Sequence, residues 1–242
     1  MANLIIEIGN TALKAALCEE RTIGKTLRYQ GEKRIDFICS VIREEMPDFV
    51  TIASVTDITA QEEKKIRKEC EKLLILDSQH SAIMEKYGFP AYLTYDRVAS
   101  LVAAKSMFRG RGCTVFDFGT TLTIDFLSET GEYEGGNISI GCRTRFKAVN
   151  RYSRALPLLE TPETVKETGT TRQESIESGI IQGIMFEIQG YMDSKPDNVN
   201  IFTGGDANYF VKKKKNTIFV ICNLVIMGLA IITDEYVKES LQ

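Results

Sequence analysis

Histidine and paired cysteines are scarce in this chain. A single histidine, His80, stands among 242 residues, and the six cysteines form no Cys-x-x-Cys pair. A structural zinc site needs a cluster of such ligands, and a Ser/His/Asp triad needs a partnered histidine, so neither site is predicted. The cysteines lie mostly among apolar residues, which predicts buried, reduced thiols and a cytoplasmic protein.

The sequence also lacks an excess of basic charge and a long apolar segment. Its net charge is −3, whereas a protein that binds nucleic acid or an anionic membrane is expected to carry a basic surface. The first residues contain no basic n-region followed by an apolar h-region, so no signal peptide is predicted. The most apolar run, 218–232, is shorter than the roughly 20 residues of a membrane span and is predicted to be a buried helix. These features favour a small-molecule ligand and exclude nucleic acid and membrane as partners.

One internal repeat is present. The segment LIIEIGNTALKAAL (4–17) aligns with TVFDFGTTLTIDFL (114–127), and each copy contains an apolar strand, an acidic residue, a glycine turn and a second strand. The aligned pairs are Glu7 with Asp117, Gly9 with Gly119 and Thr11 with Thr121. Helices and strands intervene between the copies, so the repeat predicts two similar α/β lobes, residues 1–110 and 111–242.

The chemistry of the paired turns suits phosphate groups. Glycine lets backbone N–H groups approach phosphate oxygens, and the hydroxyl and amide side chains of these turns can add hydrogen bonds: Asn10, Thr11, Thr120 and Thr121. Glu7 and Asp117 stand at strand ends, where a carboxylate can hold a cation or a bridging water, and Lys14 adds a positive charge. One glycine turn in a hairpin is usually only a turn, but two in register favour ATP binding.

Two other features add to this interpretation. Thr203, Gly204 and Gly205 follow an apolar strand, which predicts a turn whose backbone lies flat against a base or ribose. Asp96 and Arg97 place a carboxylate beside a guanidinium, which keeps the carboxylate ionised. Taken alone, this pair is more typical of a surface ion pair or of a helix N-cap than of a catalytic base.

The ordered motifs resemble those of the type III pantothenate kinases, a family of the actin, hexokinase and Hsp70 superfamily. They extend along nearly the whole chain: EIGNTALK (7–14), YDRVASLVAA (95–104), FDFGTTLTID (116–125), GGNISIG (135–141), ESIESGIIQG (174–183) and FTGGDA (202–207). The resemblance implies an α/β fold of two ribonuclease H-like lobes with a cleft between them. It implies ATP-dependent phosphorylation of pantothenate to 4'-phosphopantothenate, the first step of coenzyme A synthesis, by a homodimer that uses Mg²⁺ and a monovalent cation (K⁺ or NH₄⁺).

The resemblance also implies roles for individual residues. Asp96 would be the general base that takes the proton from the substrate hydroxyl. Asp117 would bind the monovalent cation, and Glu7 would hold magnesium through a water. The ATP-binding set would be Glu7, Gly9, Asn10, Thr11, Lys14, Gly119, Thr120 and Thr121, with Gly204 and Gly205 on the adenosine side. The pantothenate-binding set would be Tyr87, Thr94, Tyr95, Arg97, Thr171 and Arg172.

Several positions depart from the family pattern. Glu7 replaces an aspartate, Thr94 replaces a glycine and Ile140 replaces a proline. The family has a substrate-contacting threonine seven residues before the glycine that corresponds to Gly179. In this chain that position is Arg172, and Thr171 lies one place away. Two alternatives to an efficient pantothenate kinase follow. One is a catalytically degenerate nucleotide- or ligand-binding regulatory protein, and the other is a kinase of the same fold that acts on another small alcohol.

Overall fold

The computed structural model describes residues 2–20, 22–78, 86–214 and 217–240, and His80 lies outside these ranges. Within them the chain forms ten strands and seven helices. They group into two compact units, one of Met1–Met107 with Asn223–Gln242 and one of Phe108–Cys222. No helix in the described ranges is long and apolar enough to cross a membrane.

The first unit is built on a five-stranded sheet in the order β3-β2-β1-β4-β5. Its strands are β1 (Ala2–Ile8), β2 (Leu13–Glu19), β3 (Thr22–Tyr29), β4 (Phe49–Ser54) and β5 (Leu73–Leu76). The first three strands pair antiparallel, whereas β1, β4 and β5 pair parallel. Its helices are α1 (Arg34–Glu45), α2 (Ala60–Ile66), α3 (Tyr95–Met107) and α7 (Leu224–Ser240).

The second unit repeats this topology. Its strands are β6 (Cys113–Phe118), β7 (Thr121–Leu127), β8 (Tyr133–Ile140), β9 (Val199–Gly204) and β10 (Phe219–Val220), in the order β10-β9-β6-β7-β8. Again three consecutive strands pair antiparallel and the remaining two extend the sheet in parallel. Its helices are α4 (Cys142–Tyr152), α5 (Arg172–Ser194) and α6 (Ala207–Val211). The predicted α/β fold with two similar halves is confirmed.

Side chains alternate between the two faces of a strand, and this alternation decides which of them face the hydrophobic core. In β1, Leu4, Ile6 and Ile8 pack into a cluster with residues of α1. In β6, Phe116 and Phe118 belong to the corresponding cluster of the second unit, which includes residues of α5. Because successive side chains of a strand point to opposite faces, Glu7 and Asp117 each project from the other face of their own sheet.

The last helix returns the chain to the first unit. Helix α7 packs on α3 at Gly228, where an added Cβ would clash with the Ala99 backbone and lie only 2.8 Å from its Cα. The Thr51 and Thr233 hydroxyls form a buried hydrogen bond of 2.7 Å between β4 and α7. The units therefore differ from the predicted lobes 1–110 and 111–242, because residues 223–242 pack with the first unit. The helix predicted over 218–232 is also corrected, since its first residues form β10 and α7 begins at Leu224.

Candidate active site

The first glycine turn closes the hairpin of β1 and β2. The Gly9 N–H donates to the Ala12 carbonyl at 3.0 Å, which leaves Asn10 and Thr11 exposed at the tip. Glu7 is the second-last residue of β1 and lies directly opposite Lys14 of β2. The hairpin thus places an exposed polar turn beside one acidic and one basic side chain.

Glu7 and Lys14 form an ion pair in a partly buried setting. Lys14 Nζ lies 3.3 Å from Glu7 Oε2, and the Glu7 side chain is 15% exposed. Within the described part of the chain, Glu7 Oε2 has no hydrogen-bond partner of good geometry. Burial raises the pKa of Glu7 above its ordinary value, the Lys14 charge opposes this, and the nearby Asp96 carboxylate raises the pKa further. Glu7, Lys14 and Asp96 therefore form one charged cluster in the first unit.

Asp96 reaches this cluster from the first turn of α3. Its Oδ1 accepts a 2.9 Å hydrogen bond from the Arg97 N–H, and the following residue, Val98, donates its N–H to the Thr94 carbonyl at 3.0 Å. Thr94 thus occupies the position before the helix, and Asp96 lies inside it. The positive end of the helix dipole stabilises an ionised carboxylate there. Arg97 is buried, with 7% of its surface exposed, so the adjacent pair is not a surface ion pair.

Two predicted substrate tyrosines lie in the same unit. The Tyr87 hydroxyl donates to Glu235 Oε2 of α7 at 2.8 Å, and the Tyr95 hydroxyl donates to the Asp77 carbonyl. Burial raises the pKa of both phenols, and the Glu235 carboxylate adds to the shift at Tyr87. Both side chains are therefore neutral hydrogen-bond donors at physiological pH.

The second glycine turn closes the hairpin of β6 and β7. The Gly119 N–H donates to the Thr121 carbonyl at 3.0 Å, and Thr120 stands alone at the exposed tip. Asp117 lies opposite Thr123 in the register of this hairpin, as Glu7 lies opposite Lys14 in the first. The predicted repeat is thus present in three dimensions.

The two turns differ in length by one residue. The alignment at a shift of 110 holds for Glu7 with Asp117 and for Gly9 with Gly119, but the first turn has two tip residues and the second has one. Beyond the turn the equivalent positions are therefore shifted by 109. The predicted equivalence of Thr11 with Thr121 is wrong, because Thr11 is a tip residue and Thr121 already begins β7.

The Thr203-Gly204-Gly205 turn lies beside the second hairpin. Strand β9 pairs in parallel with β6 so that Thr203 stands next to Asp117 and Gly204 next to Phe118. Gly204 has a φ of +90°, and an added Cβ would clash with Asp117 Oδ1 and lie 2.6 Å from the Phe118 nitrogen. Only glycine fits such a position, so the turn brings bare backbone up to the acidic residue of the hairpin.

Comparison with known proteins identifies the family. A profile of the type III pantothenate kinases matches residues 3–194. The chain belongs to the type III pantothenate kinase family. A type III pantothenate kinase of Bacteroides fragilis (strain YCH46) is 34% identical over 232 residues, which span 94% of this chain and 95% of that protein. The chain is therefore a kinase, and the predicted function, ATP-dependent phosphorylation of pantothenate, is confirmed at the level of the family.

Solved structures confirm the fold class alone. A Campylobacter jejuni protein named for the Baf family of transcriptional activators has a TM-score of 0.66 at 20% identity and covers 97% of this chain with 99% of its own length. The ROK hexokinase of Thermus thermophilus has a TM-score of 0.55 at 8% identity, with coverages of 99% and 100%. Both likenesses fit the actin-like fold predicted for this kinase.

The last two predicted substrate residues have local structural roles. Thr171 is the N-cap of α5 and its hydroxyl accepts from the Glu174 N–H at 3.2 Å. Arg172 is the exposed first residue of that helix. Hydrogen bonds from Lys166 and Thr170 lower the pKa of Glu174 to about 2, so the start of α5 is held by an ionised carboxylate.

The donor sets of this kinase fit the cations that its family implies. A nearly buried carboxylate oxygen without a hydrogen bond, such as Glu7 Oε2, is satisfied by a cation or by a water bound to one. Asp117 is partly buried and its Oδ1 lies against Gly204, so it offers a carboxylate oxygen, the type of ligand that hard cations prefer. Within the described ranges, no group of three or more His, Cys, Asp or Glu residues is arranged to hold a metal. Any cation at Glu7 therefore depends on water and phosphate for most of its ligands.

Thr144 and Arg145 were missed by the sequence reasoning. Both lie in α4, directly after the GGNISIG motif, and both hydrogen-bond to the backbone around the second turn. Gly141, the last residue of the motif, is so close to the turn that an added Cβ would lie 2.7 Å from the Thr120 carbonyl oxygen. Gly141 was the signal available in the sequence. A glycine in a motif indicates that two backbone segments approach closely, and neighbouring side chains can hold those segments together.

Proposed function

We propose that this kinase transfers the γ-phosphoryl group of ATP to the terminal hydroxyl of pantothenate, with Asp96 as the general base. The observation that carries the proposal is the cluster of Glu7, Lys14 and Asp96 in the first unit of a type III pantothenate kinase. Phosphoryl transfer requires positioning, charge neutralisation and a base for the attacking hydroxyl, and this cluster contains a group for each task.

Asp96 takes the hydroxyl proton as the new oxygen–phosphorus bond forms and ADP leaves. Its Oδ1 is oriented by the Arg97 N–H, which leaves Oδ2 for the substrate. Lys14 contacts the phosphates in the transition state, and its ion pair with Glu7 keeps it at the end of the hairpin until ATP binds. A magnesium ion bound through water at Glu7 would supply charge neutralisation at the phosphates. The first turn, with Gly9, Asn10 and Thr11, supplies hydrogen bonds to the same groups.

The second unit supplies further ATP contacts. Gly119, Thr120 and Thr121 form the second phosphate turn, and Gly204 and Gly205 support the adenosine side. Asp117 holds the monovalent cation, K⁺ or NH₄⁺. The shared edge of β6 and β9, where Gly204 lies against Asp117, supports a single ligand-binding surface in this unit.

Pantothenate binding is assigned to the remaining predicted residues. Tyr87 and Tyr95 are neutral phenols whose protons are donated to Glu235 and to the Asp77 carbonyl, so each can accept a hydrogen bond from pantothenate. Arg97 supplies a buried positive charge beside the base. Thr94 is exposed directly before the helix that carries Asp96. Thr171 and Arg172 complete the set from the start of α5, where pantothenate would meet the exposed first turn.

A homodimer in the cytoplasm is also part of the proposal. Several large apolar side chains of the second unit are exposed, among them Ile138 (64%), Ile140 (49%) and Phe186 (72%). Exposed apolar surface of this kind is typical of protein interfaces. All six cysteines are free thiols, which fits a reducing compartment. Sedimentation equilibrium giving the mass of one chain at micromolar concentration would contradict the dimer.

The test is a direct assay with and without the base. Purified protein is incubated with ATP, Mg²⁺, K⁺ or NH₄⁺, and pantothenate, and phosphopantothenate is measured by mass spectrometry. We expect Asp96→Asn to lower kcat by roughly 10²- to 10⁴-fold with ATP affinity retained. Asp36→Asn, at an exposed ion pair of α1, serves as the matched control and leaves kcat unchanged. If the wild-type protein binds ATP but forms no phosphopantothenate, pantothenate is not its substrate; a panel of other small alcohols then separates a kinase for a different acceptor from the regulatory alternative.

A further inference from the structure

We propose that Thr144 and Arg145 are positioning residues that hold the second phosphate turn in its ATP-binding conformation. The inference rests on the proposed function, because it assumes that Thr120 lies at the ATP phosphates. Neither residue is predicted to contact a ligand. Both act through the backbone of Thr120 and of the strand end that supports it.

The Thr120 carbonyl is held by two donors from the start of α4. The Gly141 N–H donates to it at 3.1 Å and the Thr144 hydroxyl at 2.8 Å. An exposed hairpin tip ordinarily gives its carbonyls to water, so two protein donors on one tip carbonyl restrict the turn. Because a trans peptide is planar, fixing the direction of this C=O also fixes the following N–H, that of Thr121.

Arg145 holds the end of β8, which directly precedes Gly141. Its Nε donates to the Ile140 carbonyl at 2.8 Å and its Nη2 donates to Ser139 Oγ at 3.0 Å. The same Nη2 forms an ion pair with Glu187 of α5, and the two side chains are only 21% and 20% exposed. The end of β8 is thereby attached to both α4 and α5. Since Gly141 follows directly, its N–H is presented to Thr120 from a fixed position.

The geometry separates this role from direct phosphate binding. The Arg145 guanidinium is engaged by a carbonyl, a hydroxyl and a carboxylate, and the carboxylate neutralises its charge in a partly buried place. The Thr144 hydroxyl donates its proton to Thr120 and has none left for a ligand oxygen. Any effect of these residues on ATP must therefore pass through the turn.

The first experiment compares Thr144→Val with Thr144→Ser. Valine keeps the shape and removes the donor, whereas serine keeps the donor. We measure affinity for ATP and for adenosine by calorimetry without pantothenate. We expect Thr144→Val to weaken ATP binding by about 3- to 10-fold, with adenosine affinity unchanged and Thr144→Ser within twofold of the wild type. Unchanged ATP affinity in Thr144→Val, or equal losses for ATP and adenosine, would overturn the proposal.

The second experiment tests Arg145 by steady-state kinetics. Arg145→Gln is expected to raise KM for ATP more than Thr144→Val does and to leave KM for pantothenate unchanged. Arg151→Gln, on the exposed side of the same helix, is the matched control and is expected to leave both constants unchanged. If Arg145→Gln does not fold, Glu187→Gln replaces it, since it removes the ion pair and keeps the bonds to Ser139 and Ile140. A parallel rise of both KM values would show a general loosening and contradict a positioning role.

The two proposals fail in different ways. A protein that binds ATP but does not phosphorylate pantothenate refutes the proposed function, while the ATP and adenosine affinities of the Thr144 variants still test the turn. An active kinase whose ATP affinity is insensitive to Thr144 refutes the positioning role alone.

Discussion

The carboxylate of Glu7 lies in a place where burial disfavours its charged form. Its pKa is raised above the ordinary value of 4.5, chiefly by burial and also by the Asp96 carboxylate. The folded state therefore binds the Glu7 proton more tightly than the unfolded state, so stability falls as pH rises from 4.5 through the folded pKa. Above the folded pKa the ionised carboxylate lowers stability, because Lys14 offsets only part of the cost of burial. A buried carboxylate with a raised pKa is typical of functional sites, which supports the proposed role of Glu7 at the ATP phosphates.

Glu7→Gln should therefore stabilise the ligand-free protein at neutral pH. Removing a poorly satisfied buried charge is expected to add about 1 kcal/mol to the free energy of unfolding, a rise of roughly 2–4 °C in Tm for a chain of this size. The gain should shrink as pH is lowered through the raised folded pKa of Glu7, and it should vanish below 4.5, where the carboxyl is protonated in both the folded and the unfolded state. Thermal unfolding at a series of pH values measures both effects.

Glu44→Gln provides the control for this pH series. Glu44 is 73% exposed and lies 3.8 Å from Lys25, so its removal should change Tm little at any pH. A Glu7→Gln variant less stable than the wild type at pH 7 would show that the Lys14 ion pair outweighs the burial cost. Because an uncharged amide oxygen binds a cation or its bound water more weakly than a carboxylate does, the same variant should gain less stabilisation from MgATP than the wild type does.

At the scale of elements, two helical glycines should respond in opposite directions to the same change. An alanine Cβ at Gly228 of α7 would collide with the Ala99 backbone of α3, so Gly228→Ala must push the helices apart. Overpacking of this kind costs roughly 1–3 kcal/mol. Gly190 of α5 is exposed, and an added Cβ meets nothing within 4 Å, so Gly190→Ala should gain about 0.5–1 kcal/mol of helix propensity. Urea unfolding measures the free energy of unfolding of both variants. A Gly228→Ala variant as stable as the wild type would contradict the close packing of α7 on α3.

Sequence periodicity located the elements but not all of their ends. The apolar spacing over Arg97–Phe108 predicts a helix, and the structure has one at Tyr95–Met107. The amphipathic spacing over Gln61–Leu73 predicts one helix, but the helix observed there stops at Ile66, and Leu73 pairs with Val50 as the start of β5. The run 218–232 was assigned to one helix, yet Phe219 and Val220 pair with β9. In both cases a strand pairing far along the chain outweighed a local pattern, and local patterns contain no information about such pairings.

The site was predictable to the extent that it lies on local motifs. The two turns and the neighbouring glycines are short-range features, so their residues could be named from sequence. The proximity of Asp96 to Glu7 was not accessible in that way, because it depends on how α3 packs on the sheet. The support of the Thr120 carbonyl by α4 could not be predicted from the sequence either, because it arises from hydrogen bonds between elements. The one-residue difference between the turns was hidden by an alignment without gaps.

At the scale of the whole molecule, the two units repeat one topology but differ in continuity. The second unit is one uninterrupted segment, Phe108–Cys222, whereas the first needs two segments. The Phe108 and Phe219 ring centroids lie 4.9 Å apart, so the chain enters and leaves the second unit at neighbouring points. This is the arrangement that tolerates insertion of one domain into another. It indicates that the first unit can be closed by a short linker.

A fragment of residues 1–107 joined to 223–242 by a short Gly/Ser linker should therefore fold cooperatively, whereas 1–107 alone should not. Helix α7 buries six large aliphatic side chains, Leu224, Val225, Ile226, Leu229, Ile231 and Ile232. At about 1.5 kcal/mol each, they contribute roughly 9 kcal/mol, which is comparable to the whole stability of a typical domain, about 5–15 kcal/mol. Without α7, the buried face of α3 is exposed and the Thr51 hydroxyl loses its partner. Urea unfolding, followed by circular dichroism, distinguishes a sigmoidal transition from a gradual loss of signal. The matched control is the linked fragment carrying Gly228→Ala, which should unfold cooperatively with a lower midpoint. If residues 1–107 alone unfold with the same midpoint as the linked fragment, α7 is not part of the folding unit.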